Sequence, residues 1–289
     1  MEDLRIGTIV TRNSYGNDIF FRIMEIWPGD EEPEVRLQGL DMRLEADAPV
    51  SDLEVPPLLE VFRYKQRVVV QNYKRIGRLV DRRQKRALPL ADDPAGDQQR
   101  KLACQRPGSV LHIDGNEEYL EICMDTYRQL NIKAHGFHHS EKEFPNVVCR
   151  YLEKYSADIL VITGHDSLLK SGGKPEMIES YRNSRYFVEA VEAARKLIPS
   201  PDELVIFAGA CQSNFEAILS AGANYASSPE RVMIHALDPV LIVEKLAYTP
   251  VHEYVELEEA IANTITGPDG IGGIKTRGCF RWGDANQVY

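Results

Sequence analysis

The sequence predicts an α/β protein with a mainly parallel sheet that helices cover on both faces, preceded by a small all-β domain. Apolar runs at residues 158–163 and 203–210 are typical of strands that are buried on both faces. Segments with helical periodicity alternate with such runs from residue 108 onwards, and this alternation favours a parallel sheet. Residues 1–57 differ, because short alternating runs between turn signals predict strands alone there.

The first domain, residues 1–57, contains four strand candidates. In each candidate β-branched and aromatic residues alternate with polar ones, and the candidates lie at residues 4–12, 18–27, 33–40 and 42–46. Turn signals separate them at residues 13–18, 28–30 and 39. These features predict a small barrel of the SH3-like kind, which binds a partner or packs on its neighbour.

A basic segment follows at residues 58–107. The chain has 34 Lys and Arg against 44 Asp and Glu, a net charge of −10, but 13 of the basic and only 5 of the acidic residues lie in this segment. The segment therefore carries +8 and the rest of the chain −18. Its first part is predicted to be a helix, and residues 88–101 are predicted to be a linker. Basic runs occur in nucleic-acid-binding proteins, but no base-stacking aromatic pattern accompanies this one, so we expect a solvated helix face and no nucleic-acid partner.

The third region, residues 108–289, alternates predicted strands and helices. The strand candidates are residues 109–114, 132–138, 158–163, 203–210 and 231–237. The helix candidates are residues 116–131, 144–155, 184–198, 213–222 and 239–248, the last with Pro239 at its start. Right-handed crossovers place the carboxyl ends of parallel strands at one edge of the sheet. Active sites of open α/β sheets lie at that edge.

Two of the apolar strands end in glycine and then a reactive side chain. Residues 159–163 lead into Gly164 and His165, and residues 204–208 lead through Gly209 into Cys211. The separation of 46 positions from His165 to Cys211 is enough for one strand–helix–strand crossover. If the two strands are neighbours, the imidazole and the thiol face one crevice.

The two side chains suit acyl transfer to sulfur. A thiolate is strongly nucleophilic, and we expect Cys211 at the N-terminus of a helix that begins near Ser213, where the helix dipole stabilises a thiolate. An imidazole, with an ordinary pKa of about 6.5, can give a proton to a departing amine. Gly164 and Gly209 allow close approach of a bound peptide, and the backbone N–H groups of Cys211 and Asp166 are candidates for polarising its carbonyl.

Two carboxylates are candidates for substrate binding. Asp114 ends the first predicted strand of this region and Asp238 ends the strand that follows Cys211. A carboxylate at that edge would favour Arg or Lys before the cut bond, since Arg–carboxylate pairs are strong and geometrically selective. The alternatives are a turn at Asp114 and a helix cap at Asp238, and both stay open.

At these residues the chain resembles known peptidases. An apolar strand that ends in a glycine-flanked His, followed by one that ends in Ala-Cys, resembles the caspase, legumain and gingipain group. That group has His-Gly where this chain has His165–Asp166. Over nearly its full length the chain is similar to the YabG sporulation-specific protease family, on the strings IGTIVTRNSYGNDIFFRI, LHIDGNEEYL, DILVITGHD, LVIFAGACQSNFEAILSAGANYASSP, RVMIHALDPV and GIGGIKTRG.

This resemblance implies a Cys/His peptidase with a caspase-like fold whose protein substrates belong to the spore coat and cortex. Synthesis is expected in the cytoplasm of the sporulating cell and action at the developing coat, because the N-terminus lacks a basic and an apolar signal region. No membrane span is expected. If the pocket is acidic, the Arg-rich residues 63–106 become a site of self-cleavage.

Other functions fit the sequence less well. An amidotransferase-like hydrolase would pair Cys211 with the downstream His235, and a coat assembly factor would need no catalysis. A serine nucleophile at Ser213, Ser227 or Ser228 lacks the GxSxG pattern, and Ser213 is better explained as a helix N-cap. The five cysteines are scattered without a CxxC pair, and His138 and His139 are adjacent, so neither a metal nor another cofactor is expected.

Overall fold

The structure, a computed structural model, describes residues 4–87, 103–169 and 174–284. The chain forms two compact units, which meet in sequence between Gly77 and Arg78. This division lies inside a helix, whereas the sequence placed boundaries after residues 57 and 107. The predicted linker at residues 88–101 lies outside the described residues.

The N-terminal unit contains an antiparallel five-stranded sheet, as the alternating sequence predicts. Its order is β4-β3-β2-β1-β5, with β1 Ile9–Arg12, β2 Phe21–Trp27, β3 Glu34–Gly39, β4 Glu45–Pro49 and β5 Leu53–Glu54. Alternate residues of the long strands point inward. Val10, Phe21, Ile23, Val35 and Leu37 are fully buried and form the core of this unit.

The basic segment begins with a long helix, α1, Leu58–Ala87. This helix confirms the predicted helical part of the segment. Within the N-terminal unit its Tyr64 ring stacks on Phe20 with centroids 4.3 Å apart, and the Tyr64 hydroxyl donates to Asp41. Burial raises the pKa of Tyr64.

The second unit is built on a six-stranded sheet of order β13-β11-β10-β9-β7-β8. Its strands are β7 Val110–Asp114, β8 Ala134–His138, β9 Ile159–Thr163, β10 Val205–Gly209, β11 Tyr225–Ser227 and β13 Ile271–Gly273. All pairs are parallel except β11 with β13. Two smaller antiparallel pairs join β6 Ala103–Arg106 to β15 Arg281–Asp284 and β12 Tyr254–Val255 to β14 Thr276–Arg277. The predicted, mostly parallel α/β sheet is confirmed.

Six helices of the described residues flank this sheet. They are α2 Glu117–Gln129, α3 Phe144–Tyr155, α4 Ser184–Leu197, α5 Phe215–Ser220, α6 Asp238–Tyr248 and α7 Leu257–Ile261. β9 and β10 are buried along their whole length, which explains why their sequences are continuous apolar runs. None of the described helices is long and apolar enough to cross a membrane.

One strand prediction is wrong. Residues 231–237 were expected to form a strand, but they form an irregular segment, and the strand after α5 is Tyr225–Ser227. The chain returns to the sheet directly after α5, because Tyr225 and Ala226 pair with Phe207 and Ala208 of β10. Residues 234–237 of this loop are buried and residues 231–233 are partly buried, and Asp238 begins α6 instead of ending a strand.

Candidate active site

His165 and Cys211 each follow one member of the same residue pair, the last rung of the ladder between two neighbouring strands. Strands β9 and β10 are parallel neighbours, and Thr163 pairs with Gly209 at the last rung of their ladder. Each reactive residue comes two positions after its member of that pair. The structure therefore brings both candidates to one edge of the sheet on adjacent strands, as their spacing predicts.

The sulfur of Cys211 is held in a tight turn after β10. Cys211 is 3% exposed, and its Sγ accepts a hydrogen bond of 3.0 Å from the backbone N–H of Ile234. Gln212 adopts a left-handed conformation with φ of 56°, so the chain reverses immediately after the cysteine. An N–H aimed at sulfur stabilises negative charge there.

The expected helix N-terminus at Cys211 is a wrong prediction. Helix α5 begins only at Phe215, and its cap is Asn214, whose Oδ1 accepts from the N–H of Ala217 at 3.0 Å. Ser213 is not the cap, because its hydroxyl accepts from the N–H of Ala210 at 2.8 Å. α5 has six residues. The Ile234 N–H, and not the dipole of this short helix, is the group next to the sulfur.

His165 is fixed through its backbone and its ring. Its N–H donates to Glu141 Oε1 and its carbonyl accepts from Asn183 Nδ2, both at 2.8 Å. Ring atom Nε2 lies 3.2 Å from Asn116 Nδ2, and the Tyr119 ring is centred 5.8 Å away. Nδ1, on the other side of the ring, is shielded from solvent.

Asn116 has two roles at once. It is the N-cap of α2, where its Oδ1 accepts from the N–H of Tyr119 at 3.0 Å. An N–H can bond only to the amide oxygen, so this cap turns the Nδ2 group toward His165. The backbone N–H of Asn116 donates to Asp114 Oδ1 at 2.9 Å. Asn116 therefore links the end of β7 to the imidazole.

The predicted backbone positions Gly164, Asp166 and Gly209 all lie at this edge. Gly164 packs against Glu141, and a Cβ at this glycine would be 2.6 Å from Glu141 Oε1. Gly209 has φ of 120°, which only glycine adopts readily. The side chain of Asp166, which the sequence did not indicate as a functional group, is almost fully buried and accepts several hydrogen bonds.

Asp114 and Asp238 are both fully buried, and internal donors surround their carboxylates. Asp114 accepts from the N–H of Asn116 at 2.9 Å and from the Thr163 hydroxyl at 2.8 Å. Asp238 accepts from the N–H groups of Ile265 at 2.6 Å and Thr266 at 3.2 Å, and from the Thr266 hydroxyl. This geometry favours the turn at Asp114. Asp238 is not a helix cap, because the N-cap of α6 is Leu237 and the Asp238 carboxylate binds the segment at Ile265 and Thr266.

His235, the alternative partner of the thiol, lies in the loop that carries Ile234. Its Nδ1 accepts from the N–H of Leu237 at 3.1 Å, and its own N–H donates to the Thr266 hydroxyl at 3.0 Å. These bonds hold the imidazole against its own loop. His235 is 6% exposed.

The remaining cysteines with described side chains have different settings. Cys123 is buried and its Sγ donates to the Ala236 carbonyl at 3.3 Å. Burial raises the pKa of the Cys149 thiol, and burial together with Asp158 raises the pKa of Cys279 to about 12. Raised values disfavour the thiolate. Among the residues that the structure describes, no cluster of three His, Cys, Asp or Glu side chains suits a metal ion.

Four further site residues were not indicated by the sequence, namely Asn116, Glu141, Asn183 and Ile234. Asn116 alone left a signal, because it follows a strand end that was expected at the same edge and directly precedes a helix. Glu141 begins a short 3-10 helix between β8 and α3, and Asn183 directly precedes α4. Ile234 acts through its backbone, which side-chain chemistry cannot predict.

Comparison with known proteins adds the family. The model of the YabG peptidase U57 family matches residues 5–285 of the chain. The chain is also 41% identical over 290 residues to the sporulation-specific protease YabG of Bacillus subtilis (strain 168), a match that covers 96% of this chain and 97% of that protein. The match extends across both compact units and includes both reactive strand ends. The chain therefore belongs to the YabG peptidase family.

Proposed function

We propose that the protein is a cysteine endopeptidase with Cys211 as nucleophile and His165 as its proton-transfer partner. The observation that carries this proposal is the shared rung of Thr163 and Gly209, since both reactive residues follow it at equal distance. Membership of a peptidase family agrees with this proposal. The Cys211 sulfur, which accepts from the Ile234 N–H at 3.0 Å, also agrees with it. The parallel order of the sheet is also the basis for proposing a caspase-like arrangement.

The proposed reaction has two stages. His165 takes the thiol proton of Cys211, the thiolate sulfur bonds to the scissile carbonyl carbon, and backbone N–H groups of Cys211 and Asp166 stabilise the oxyanion. The C–N bond then breaks as the His165 imidazole delivers a proton to the leaving nitrogen. Water hydrolyses the thioester and returns that proton, which restores the free enzyme. Gly164 and Gly209 keep the backbone on both sides of the crevice free of side chains.

The relative's name supplies the setting of the proposed activity. That protein is a sporulation-specific protease, and we propose that this chain acts in the sporulating cell on proteins of the spore coat and cortex. Preference for Arg before the cut remains a proposal that rests on the negative charge of the chain outside the basic segment. Asp114 and Asp238 support it weakly, because internal donors occupy their carboxylates.

Self-cleavage is proposed for the end of the basic segment. Peptidases need an extended backbone, and the Arg residues of α1 lie in a helix that continues to Ala87. The basic residues beyond this helix are Arg100, Lys101 and Arg106. Arg100 and Lys101 fall outside the described residues, so they are candidates by sequence alone.

Two other functions remain as outcomes of the test. An amidotransferase-like hydrolase would depend on His235, which directly follows Ile234, the residue whose N–H bonds to the sulfur. A coat assembly factor would depend on neither histidine nor on the thiol.

The experiment compares wild-type protein with Cys211→Ala, His165→Ala and His235→Ala on a mixture of proteins, and maps new N-termini by mass spectrometry. We expect cleavage to be lost in the first two variants and retained in the third. Cys149→Ala is the matched control, because this thiol lies on α3 with its Sγ 3.5 Å from the Ala193 carbonyl. Full activity of Cys211→Ala would refute the proposal, and dependence on His235 alone would favour the amidotransferase-like alternative.

A further inference from the structure

We propose that the side chain of Asp166 is a positioning residue that fastens the His165 strand end to the Cys211 strand end. This inference rests on the proposed function, because it concerns the distance between those two reactive groups. Asp166 directly follows His165, and its carboxylate is buried in the protein. It stands where the resemblance to caspases leads one to expect glycine, which has no side chain to form such a link.

The carboxylate first organises its own loop. Oδ1 accepts from the backbone N–H of Ser167 at 2.9 Å and from that of Asn183 at 2.8 Å. Asn183 in turn donates its side-chain amide to the His165 carbonyl at 2.8 Å. The end of β9 and the start of α4 are thereby held to one another, and the backbone of His165 is part of this closed set of bonds.

The other carboxylate oxygen reaches across to the cysteine loop. Oδ2 accepts from the Ser184 hydroxyl at 2.5 Å, and the same hydroxyl oxygen accepts from the backbone N–H of Asn214 at 2.8 Å. The Ser213 hydroxyl also bonds to the carboxylate, and its oxygen accepts from the N–H of Ala210 at 2.8 Å. Ala210 and Ser213 lie on either side of Cys211, so the carboxylate is tied to both arms of the turn that presents the sulfur.

A carboxylate is a costly group for a purely structural link. Asp166 is 8% exposed, and burial of an ionisable group disfavours its charged form. Burial does raise the pKa of Asp166, to about 6, even though four hydrogen bonds act in the opposite direction. The short hydrogen bonds that an ionised carboxylate accepts are geometrically more demanding than hydrogen bonds between neutral groups. Such a group is suited to holding two loops at a fixed separation.

Loosening this link is expected to lower kcat without weakening substrate binding. A shift of about 1 Å in the relative position of reacting groups costs roughly 100-fold in rate. We expect Ser184→Ala, which removes the bridge to Asn214 but leaves the carboxylate, to lower kcat about 10- to 100-fold with KM within about two-fold. Asp166→Asn is expected to lower kcat in the same way. Its amide N–H group would face the Ser184 hydroxyl, which is itself the donor in this bond, so two donors would meet.

The double variant tests whether both residues act through one link. If they do, Asp166→Asn combined with Ser184→Ala loses about as much kcat as either single change; independent damage would multiply the two losses. Ser180→Ala is the matched control, since this serine is buried in the same connection but donates to the Lys174 carbonyl at 2.8 Å. It is expected to keep kcat within about two-fold.

The measurement is steady-state kinetics on a peptide that wild-type protein cleaves, with circular dichroism confirming the fold of each variant. Wild-type kcat in Ser184→Ala, or a double variant whose loss equals the product of the single losses, would overturn the positioning role. If Asp166→Asn does not fold, the kcat of Ser184→Ala compared with that of Ser180→Ala is enough to test the positioning role. Failure of the proposed function is a separate result, visible as retained cleavage by Cys211→Ala or His165→Ala.

Discussion

The backbone N–H of Ile234 donates to the sulfur of Cys211 across 3.0 Å. The donor comes from the loop at residues 231–237, which lies over the carboxyl edge of the sheet, so the sulfur is held between its own turn and a segment more than twenty residues later in the chain. A fixed N–H at this distance is a donor that bonds more strongly to a negatively charged sulfur than to a neutral one.

This contact predicts selective alkylation. At a pH of about 6.5 iodoacetamide is expected to modify Cys211 about ten times faster than Cys149, because the raised pKa of Cys149 leaves little thiolate there. Peptide mapping after timed labelling measures both rates in one sample. Cys279, with a pKa of about 12, is the internal control and is expected to stay unmodified in the folded protein. Faster labelling of Cys149, which is the more exposed of the two, would show that access and not thiolate content governs reactivity.

Asn116 provides a second prediction through its contact with His165 Nε2 at 3.2 Å. The neutral imidazole accepts a hydrogen bond at Nε2 from the Asn116 amide N–H. A charged imidazole carries a proton at Nε2 and needs an oxygen acceptor there. Asn116 can offer its amide oxygen to the ring only if that oxygen releases the N–H of Tyr119, which it caps. In Asn116→Asp one carboxylate oxygen caps α2 and the other accepts from Nε2–H, which favours the charged imidazole. The fall of kcat/KM that reports His165 deprotonation is therefore expected to move up by about one pH unit.

The environment of His165 and a matched control make this test specific. Tyr119, whose ring is centred 5.8 Å from the imidazole, and Glu141, which accepts from the His165 N–H, are left unchanged by Asn116→Asp. Glu121→Gly, on the exposed face of α2, is expected to destabilise that helix by about 1 kcal/mol, similar to the loss of a cap in Asn116→Ala. An unchanged pH profile in Asn116→Asp would limit Asn116 to helix capping.

The sheet and its helices were predictable because each element satisfies a local rule. β9 and β10 are apolar throughout since helices cover both faces, and α3 begins and ends at Phe144 and Tyr155, the bounds that the periodicity predicts. The segment at residues 231–237 misled, because its apolar residues are buried in a loop and not in a paired strand. A short apolar run does not by itself distinguish a strand from another buried segment.

The placement of His165 and Cys211 at one sheet edge was predictable for a topological reason, whereas the contacts that support them were not. Parallel neighbours present their carboxyl ends together, so Gly164–His165 and Gly209–Ala210–Cys211 indicated one edge before the fold was known. The supports depend on contacts between segments far apart in sequence, such as Glu141 with His165 and Asp166 with Ser184. Asp114 and Asp238 looked like substrate ligands because sequence gives the end of a strand but not whether its carboxylate is buried.

Gly209 predicts a stability change at the last rung of β10. Its φ of 120° is strained for any side chain, and a Cβ there would be 3.1 Å from Ser227 Cβ and 3.2 Å from the Ser227 nitrogen. Gly209→Ala is expected to destabilise the protein by about 1–3 kcal/mol. Gly77→Ala is the opposite control: this α1 residue has no atom within 4 Å of the added Cβ, and helix propensity predicts about 1 kcal/mol of stabilisation. Urea unfolding in the Cys211→Ala background measures both without self-digestion, and equal effects of the two changes would contradict the strain argument.

Asp166 predicts how stability depends on pH. Burial raises its pKa from 3.8 to about 6, so the folded state binds this proton more tightly than the unfolded chain does. The stabilisation that results is fully present below about pH 4 and is lost as pH rises through about 6. A tenfold difference in proton affinity is equivalent to about 1.4 kcal/mol, so the loss is on the order of 3 kcal/mol. Asp166→Asn does not titrate, so the stability of wild type minus that of the variant is expected to fall by roughly 2–3 kcal/mol between about pH 4 and pH 7. Urea unfolding at several pH values in the Cys211→Ala background provides the difference, and a difference that rises with pH would mean that the link to Ser184 outweighs burial and lowers the pKa of this carboxyl.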